Sequence, residues 1–290
     1  MTFRSLLFVP GDSERKFAKA SAGPADVLIL DLEDSVSPER IDIARGMVRE
    51  ALLAKTDRSR QQLWVRINPL STPLSLPDLV AVMPGRPDGI LLPKTDSADE
   101  VVLLGHYLTA LESREGHPPG STRILPVATE TPAAMFALGS YAKAGPRLAG
   151  VTWGAEDLAT AVGASTNRDD DGTYALTFRL ARTFCLLAAR AAGVVAVDTI
   201  VADFRDSAAL EADVRRARRD GFGAKMAIHP DQVELINAGF LPDAGEIAFA
   251  QRVIAAFEAG GGAGAVQIDG KMLDKPHLKQ ALNVLAAAGI

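Results

Sequence analysis

The chain has 290 residues, 48% of them hydrophobic and 23% charged, which is too apolar for a disordered chain and enough to bury a core without staples. The formal net charge is −5, and the basic tract Arg215, Arg216, Arg218 and Arg219 is interleaved with Glu211, Asp213 and Asp220, so a solvated helix face is expected and nucleic acid is excluded as a partner. Cys185 is the single cysteine, leaving no internal disulfide and no CxxC zinc site, and no stretch approaches the roughly 18 apolar residues of a membrane span or the layout of a signal peptide, so a reducing, cytoplasmic setting is expected.

Short apolar, β-branched runs recur along the chain and read as buried parallel strands. In order they are SLLFVP (5–10), VLILDLE (27–33), LWVRIN (63–68), GILLPK (89–94), ILPVATE (124–130), LAGVTWG (148–154), VVAVDTI (194–200) and GAKMAIHP (223–230). Between them lie segments of helical period, among them ERKFAKAS, IDIARGMVREALLAKT, VVLLGHYLTALESRE, PAAMFALGSYAKA and LEADVRRARRD. Eight rounds of β and α predict a closed (β/α)8 barrel. A doubly wound open sheet would be served by a Gly-rich first turn, and the first turn here is PGDSERK. The barrel is expected over residues 1–258. A Gly-rich break at 259–265 then leads to an arm, 259–290, with a hairpin around IDG and a last helix, expected to pack on its own barrel or on a neighbouring subunit.

Polar residues gather at the carboxyl ends of these strands: Asp31, Glu33 and Asp34 on the second, Arg66 and Asn68 on the third, Lys94 on the fourth, Glu130 on the fifth, Glu156 and Asp157 after the sixth, Asp198 and Thr199 on the seventh, and His229 on the eighth. In a parallel barrel these ends open on one face, where active sites are built. Glu130 and Asp157, on adjacent strands, would share a small volume and need a cation or proton between them; oxygen ligands alone suit magnesium. Spacing alone leaves a second reading open, that both are helix caps, since TETPAAM and GAEDLA enter helices. Arg66 must meet an anion, either a strand-two acid or a substrate carboxylate. Lys94 pairs with a strand-two acid or does chemistry, and His229 is a base or fixes the loop before Pro230.

Taken together, RSLLFVPGDSERKFAKA, ADVLILDLEDSV, VRINP, ILLPKTDSADEV, ILPVATETPAA, WGAEDLA, GFGAKMAIHPDQV and DGKMLDKPHLKQA resemble the citrate lyase β-subunit-like branch of the HpcH/HpaI aldolase superfamily, in order and over nearly the whole chain. The resemblance implies a (β/α)8 barrel, Mg²⁺, and making or breaking a C–C bond in an acyl-CoA or acyl-carrier thioester such as malyl-CoA or citramalyl-CoA. It implies Glu130 and Asp157 as metal ligands, Glu33 and Asp34 acting through water, and Arg66 on the substrate's carboxylate and thioester oxygen. It also implies Glu130, Asp157 and Glu156 lining the substrate site, and Phe8, Lys19, Ile228 and His229 contacting CoA. Asp274 would be the acid/base, delivered from a neighbouring subunit in a trimer or hexamer. One departure is Ser13, where many CoA-using relatives carry an arginine; Arg15, Lys16 and Lys19 stand nearby. Two other outcomes of the same resemblance are a citryl-thioester lyase subunit acting on an acyl carrier protein and a malyl-CoA thioesterase. The full set of charged strand-end residues argues against a non-catalytic barrel.

Overall fold

The computed structural model describes residues 3–261 and 264–290, so Gly262 and Ala263 of the expected Gly-rich hinge lie outside the described residues. Eight short strands, β1 Ser5–Pro10, β2 Val27–Asp31, β3 Gln62–Arg66, β4 Gly89–Leu92, β5 Arg123–Pro126, β6 Gly150–Thr152, β7 Val195–Asp198 and β8 Ala224–Ala227, alternate with helices. The helices are α1 Glu14–Ser21, α2 Ile41–Ala54, α3 Ser75–Val82, α4 Ala98–Glu115, α5 Pro132–Ala137, α6 Glu156–Val162, α7 Leu176–Ala191, α8 Ser207–Asp220 and α9 Val233–Gly239. All pairings are parallel, in the order β5-β4-β3-β2-β1-β8-β7-β6. Parallel bridges from Ile124 to Leu148 and from Val127 to Thr152 join the ends, giving the nearly closed (β/α)8 barrel that the strand pattern predicts.

The strands match the apolar runs read from the sequence but stop short of their polar ends. β4 ends at Leu92 and β5 at Pro126, because a proline follows or stands there and cannot donate to the ladder. Lys94, two residues beyond β4, takes the left-handed backbone, with φ +52°.

Side-chain parity sorts the strand residues. Leu6, Val27, Ile29, Trp64, Leu91, Leu125, Val127, Val197, Ala224 and Met226 fill the barrel interior. Asp31 and Arg66 continue this inward series past Ile29 and Trp64, whereas Asp198 and Lys225 alternate with inward residues and so face the helix layer. The expectation that Asp198 belongs to the open face is therefore corrected. Asp198 is fully buried and accepts from Trp153 Nε1 at 2.6 Å and Arg182 Nη2 at 3.0 Å. Lys225 Nζ lies 3.7 Å from it and 2.6 Å from Asp213. These charges are paired and hydrogen-bonded inside the wall, the condition under which burial is tolerated. Cys185, on the buried face of α7, has its thiol pushed up by burial, as suits an inert core residue. The basic tract of α8 carries the expected surface pair, Arg215 to Glu211 at 3.4 Å, while Leu210, Val214 and Ala217 point inward.

Glu112, near the end of α4, ties down the connection into β5. Its carboxylate accepts from the backbone of Gly120 and Thr122, each at 2.8 Å, and from Arg147 Nη2 at 2.7 Å. Burial works against the charge, but Arg147 and the two backbone donors win and hold its pKa down at about 2, from 4.5. A depressed carboxylate adds stability above its unfolded pKa and loses it as pH falls through the folded one. Glu112→Gln should therefore cost on the order of 3 kcal/mol at neutral pH in urea unfolding, a deficit that shrinks as the pH falls from 4.5 towards 2.

A second compact unit spans Ala238–Ile290. It contains α10 Ala244–Ala259, the antiparallel hairpin of β9 Ala265–Ile268 with β10 Lys271–Asp274, and α11 Lys275–Ala288. Its own core joins Ala250, Val253 and Phe257 of α10 to Ile268, Leu273 and Ala281, so the segment expected as an arm shares a core with α10. No helix of the described residues is long and apolar enough to cross a membrane.

Candidate active site

The ends of β2, β3 and β4 and the segments after β5 and β6 bring Asp31, Glu33, Asp34, Arg66, Lys94, Glu130 and Asp157 together. The assembly starts from Asp31, which is buried and accepts from the backbone of Glu33 at 2.9 Å and Ser35 at 3.2 Å, folding the DLED segment back over the strand end. Arg66 grips Asp31 through Nε at 2.6 Å and Nη2 at 2.7 Å, a two-point pair between β3 and β2. The guanidinium lowers the Asp31 pKa despite burial, and the surrounding carboxylates raise that of Arg66. Arg66 Nη1 reaches Glu33 Oε2 at 2.9 Å, and the guanidinium carbon lies 4.8 Å from the ring centre of Phe8. Pairing with strand-two acids, left open by the sequence, is thus one of Arg66's roles. Its Nη1, the nitrogen not spent on Asp31, lies between Glu33 at 2.9 Å and Asp34 at 3.7 Å.

Both helix-cap readings fall away. α5 is capped by Thr131, whose Oγ1 accepts from Ala134 N at 3.1 Å, while the N-cap of α6 is Ala155 with no side-chain cap bond. Glu130 instead lies buried at 6% exposure, its Oε2 accepting from the Lys94 backbone at 2.6 Å. Gly154 allows this placement, since a Cβ there would come within 2.9 Å of Glu130 Oε1. Asp157 sits in the first turn of α6, where the helix dipole favours a carboxylate. Burial first, then the charges of Asp157 and Glu33, push the Glu130 pKa up to about 8, against the Lys94 donor. Glu33 is raised as well, mainly by burial.

With Asp31 matched by Arg66, the other four carboxyl groups share the Lys94 ammonium and the remaining Nη1 of Arg66. Glu33 Oε2 is buried without an aligned hydrogen-bond donor among the described residues. A buried acidic group in this state takes up protons or a cation. The donors are all oxygen, which suits a small hard divalent ion. Among the described residues no three His, Cys, Asp or Glu side chains are arranged as a full ligand set; Glu130 and Asp157 are carboxylates that could hold such an ion together with water or substrate.

The remaining expected residues have surroundings of their own. Glu156, beside Asp157, accepts from Asn167 Nδ2 at 3.0 Å. Asn68 is structural, donating to Leu32 O at 2.9 Å and Asp78 at 2.8 Å. His229 caps a single 3₁₀ turn, its Nδ1 accepting from Asp231 N at 3.3 Å, as the loop-fixing reading has it. Ile228 is exposed and Phe8 half-buried, while Lys19 is exposed in the last turn of α1. Ser13 caps that helix, accepting from Lys16 N at 3.4 Å, which gives the residue in the arginine position a local job. Asp274, in the second unit, is the N-cap residue of α11, half-exposed and 2.5 Å from His277 Nδ1.

A family model described as HpcH/HpaI aldolase/citrate lyase matches residues 4–230. The chain belongs to that family, and it is an enzyme of the lyase type. It is 37% identical over 289 residues to the citrate lyase subunit beta of Escherichia coli K12, covering 99% of this chain and 93% of that one. It is 35% identical over 288 residues to the (3S)-malyl-CoA thioesterase of Cereibacter sphaeroides, with 99% and 94% covered. Among solved structures, the CitE protein of Mycobacterium tuberculosis in complex with magnesium, acetoacetate and coenzyme A superimposes with a TM-score of 0.83 at 34% identity, covering 100% of this chain and 99% of that one. The same organism's citrate lyase beta subunit, complexed with oxaloacetate and magnesium, gives 0.70 at 34%, with 83% and 98% covered.

One contact was not foreseen in the sequence. Phe204, in the VADFRD segment after β7, stacks on His229 with ring centres 4.3 Å apart. An aromatic in a loop after a barrel strand was the available signal. Lys94, expected to pair with a strand-two acid or to do chemistry, does pair with Glu33 at 2.5 Å, and its backbone and side chain together reach four carboxylates.

Proposed function

We propose that this enzyme is a Mg²⁺-dependent carbon–carbon lyase acting on a 3-hydroxy-acyl-CoA thioester of the malyl-CoA or citramalyl-CoA type. The observation that carries the proposal is the crowding of Glu130, Asp157, Glu33 and Asp34 at the carboxyl ends of the barrel strands, with Glu130 buried and its pKa raised to about 8. The magnesium held by related CitE structures matches this donor set. Glu130 and Asp157 would hold the ion and Glu33 and Asp34 would order its waters, and when bound it supplies Lewis-acid polarisation of the substrate's oxygens.

The chain's own groups supply the rest. A strand-end carboxylate takes the proton from the substrate hydroxyl as the C–C bond breaks. The 2-oxo acid leaves, and the bonding electron pair stays on the thioester fragment as an enolate. Arg66, oriented by Asp31 and shared through Nη1 with Glu33, would stabilise that negative charge. Asp274 then donates a proton to the enolate carbon, or removes it in the condensing direction. Phe8, Lys19, Ile228 and His229 would contact CoA, and Glu156 would border the substrate. We place Asp274 on an arm, residues 259–290, that serves a neighbouring subunit of a trimer or hexamer in the cytoplasm. An exposed apolar row on α7, Leu176, Leu180, Phe184 and Leu187, supports association between copies.

Likeness to the citrate lyase beta subunits and to the malyl-CoA thioesterases favours two further outcomes on the same site, a citryl thioester on an acyl carrier protein and hydrolysis of the thioester. Product analysis separates them. Purified protein with Mg²⁺ and malyl-CoA should yield glyoxylate and acetyl-CoA. Malate plus free CoA would make it a thioesterase, and no cleavage of any thioester in a 3-hydroxy-acyl-CoA panel would defeat the CoA-lyase reading.

A further inference from the structure

Lys94 stands where a lysine is not expected. Its φ of +52° is the left-handed region that glycine and asparagine favour and that is unfavourable for a long side chain. The turn serves two ends. It points the backbone N–H at Glu130 Oε2, 2.6 Å away, and sends the side chain back across the strand ends. There Nζ lies 2.5 Å from Glu33, 3.3 Å from Asp157 and 3.5 Å from Asp34. Arg66, gripped by Asp31, touches Glu33 and Asp34 only through Nη1, at 2.9 and 3.7 Å, so among the described residues Lys94 is the cation that joins these acids to Asp157.

We propose that Lys94 is a built-in counter-cation that positions the strand-end carboxylates and competes with the divalent ion for them. It is a positioning residue, and its backbone and side chain have separable duties. The N–H sets Glu130, whatever side chain follows. The ammonium holds Asp157 and Glu33, whose mutual repulsion would otherwise spread the site. The same positive charge, a few ångströms from where a divalent ion would sit, opposes the ion's entry. Affinity is thereby held down, so the site favours an ion bound weakly enough to exchange. The inference rests on the divalent-cation reading above, and the test separates the two.

The experiment is calorimetric titration of Mg²⁺ into wild type, Lys94→Met and Lys94→Gly, with melting temperatures measured in EDTA and in saturating Mg²⁺. Gly fits the left-handed backbone and keeps the N–H to Glu130, so its result is free of conformational strain. Both variants should bind Mg²⁺ about tenfold tighter than wild type, because one opposing charge has gone. Both should melt lower than wild type in EDTA and recover most of the difference in Mg²⁺. Lys94→Arg, keeping the charge, should remain within about twofold of wild-type affinity. A variant that folds only in the presence of Mg²⁺ supports the proposal, since the ion then does the work of the ammonium. Unchanged or weaker Mg²⁺ binding in both neutral variants, or failure to fold even with Mg²⁺, overturns it. Absence of Mg²⁺ binding by wild type instead overturns the divalent-cation reading itself.

Discussion

Glu130→Gln should abolish measurable Mg²⁺ binding and reduce turnover by at least on the order of a thousandfold, while leaving the fold intact. The amide oxygen can still accept from the Lys94 backbone, so the local turn has no reason to change. What disappears is the buried negative charge. Because that charge is held against burial and against Asp157 and Glu33, a neutral isostere should be no less stable than wild type in EDTA. Loss of binding with retained stability separates a ligand from a structural residue. Isothermal titration and thermal melting on the same sample make the comparison. Strongly lowered stability with normal Mg²⁺ affinity would place Glu130 in the scaffold instead.

Asp274→Asn should lower turnover by roughly a thousandfold, with Mg²⁺ affinity and substrate KM within a few-fold of wild type. Asn is as good a cap as Asp, so α11 keeps its start. The loss would be that of a proton donor. The stronger form of this prediction uses both variants. If each site combines one subunit's barrel with another's arm, mixed oligomers of the Glu130→Gln and Asp274→Asn proteins regain about a quarter of wild-type activity at equal mixing, because about half the barrels and half the arms are intact. A site complete within one chain would stay inactive in every mixture. Assay of the whole mixed population from equal co-expression of the two variants reads this directly.

The barrel was legible because fully buried parallel strands have to be apolar on both faces, and such runs stand out at eight places. Side-chain direction was not. Asp198 and Thr199 are neighbours at one strand end, and a single residue's difference in parity puts Asp198 in the wall with Arg182 and Lys225. Glu130 and Asp157 were recognisable as a pair, but TETP and GAED are also helix-entry signals. Only the placement of the cap on Thr131 and Ala155 removed that reading. Arg66 posed a choice between a protein acid and a substrate, and five donors on one planar group let it grip Asp31 and still reach Glu33. For Lys94 the pairing with a strand-two acid was legible, but its reach to Glu130 and Asp157 was not. Lysine carries no preference for a left-handed turn, so nothing in LLPKTD announces that this residue's backbone and side chain serve the same cluster.

A crystal structure of the protein grown with Mg²⁺ and oxaloacetate should show the ion bound by carboxylate oxygens of both Glu130 and Asp157. The 2-oxo acid should complete its shell, and Lys94 should remain on Glu33. Density for the ion elsewhere in the barrel, or Glu130 still turned to Lys94 with no ion beside it, would contradict the assignment.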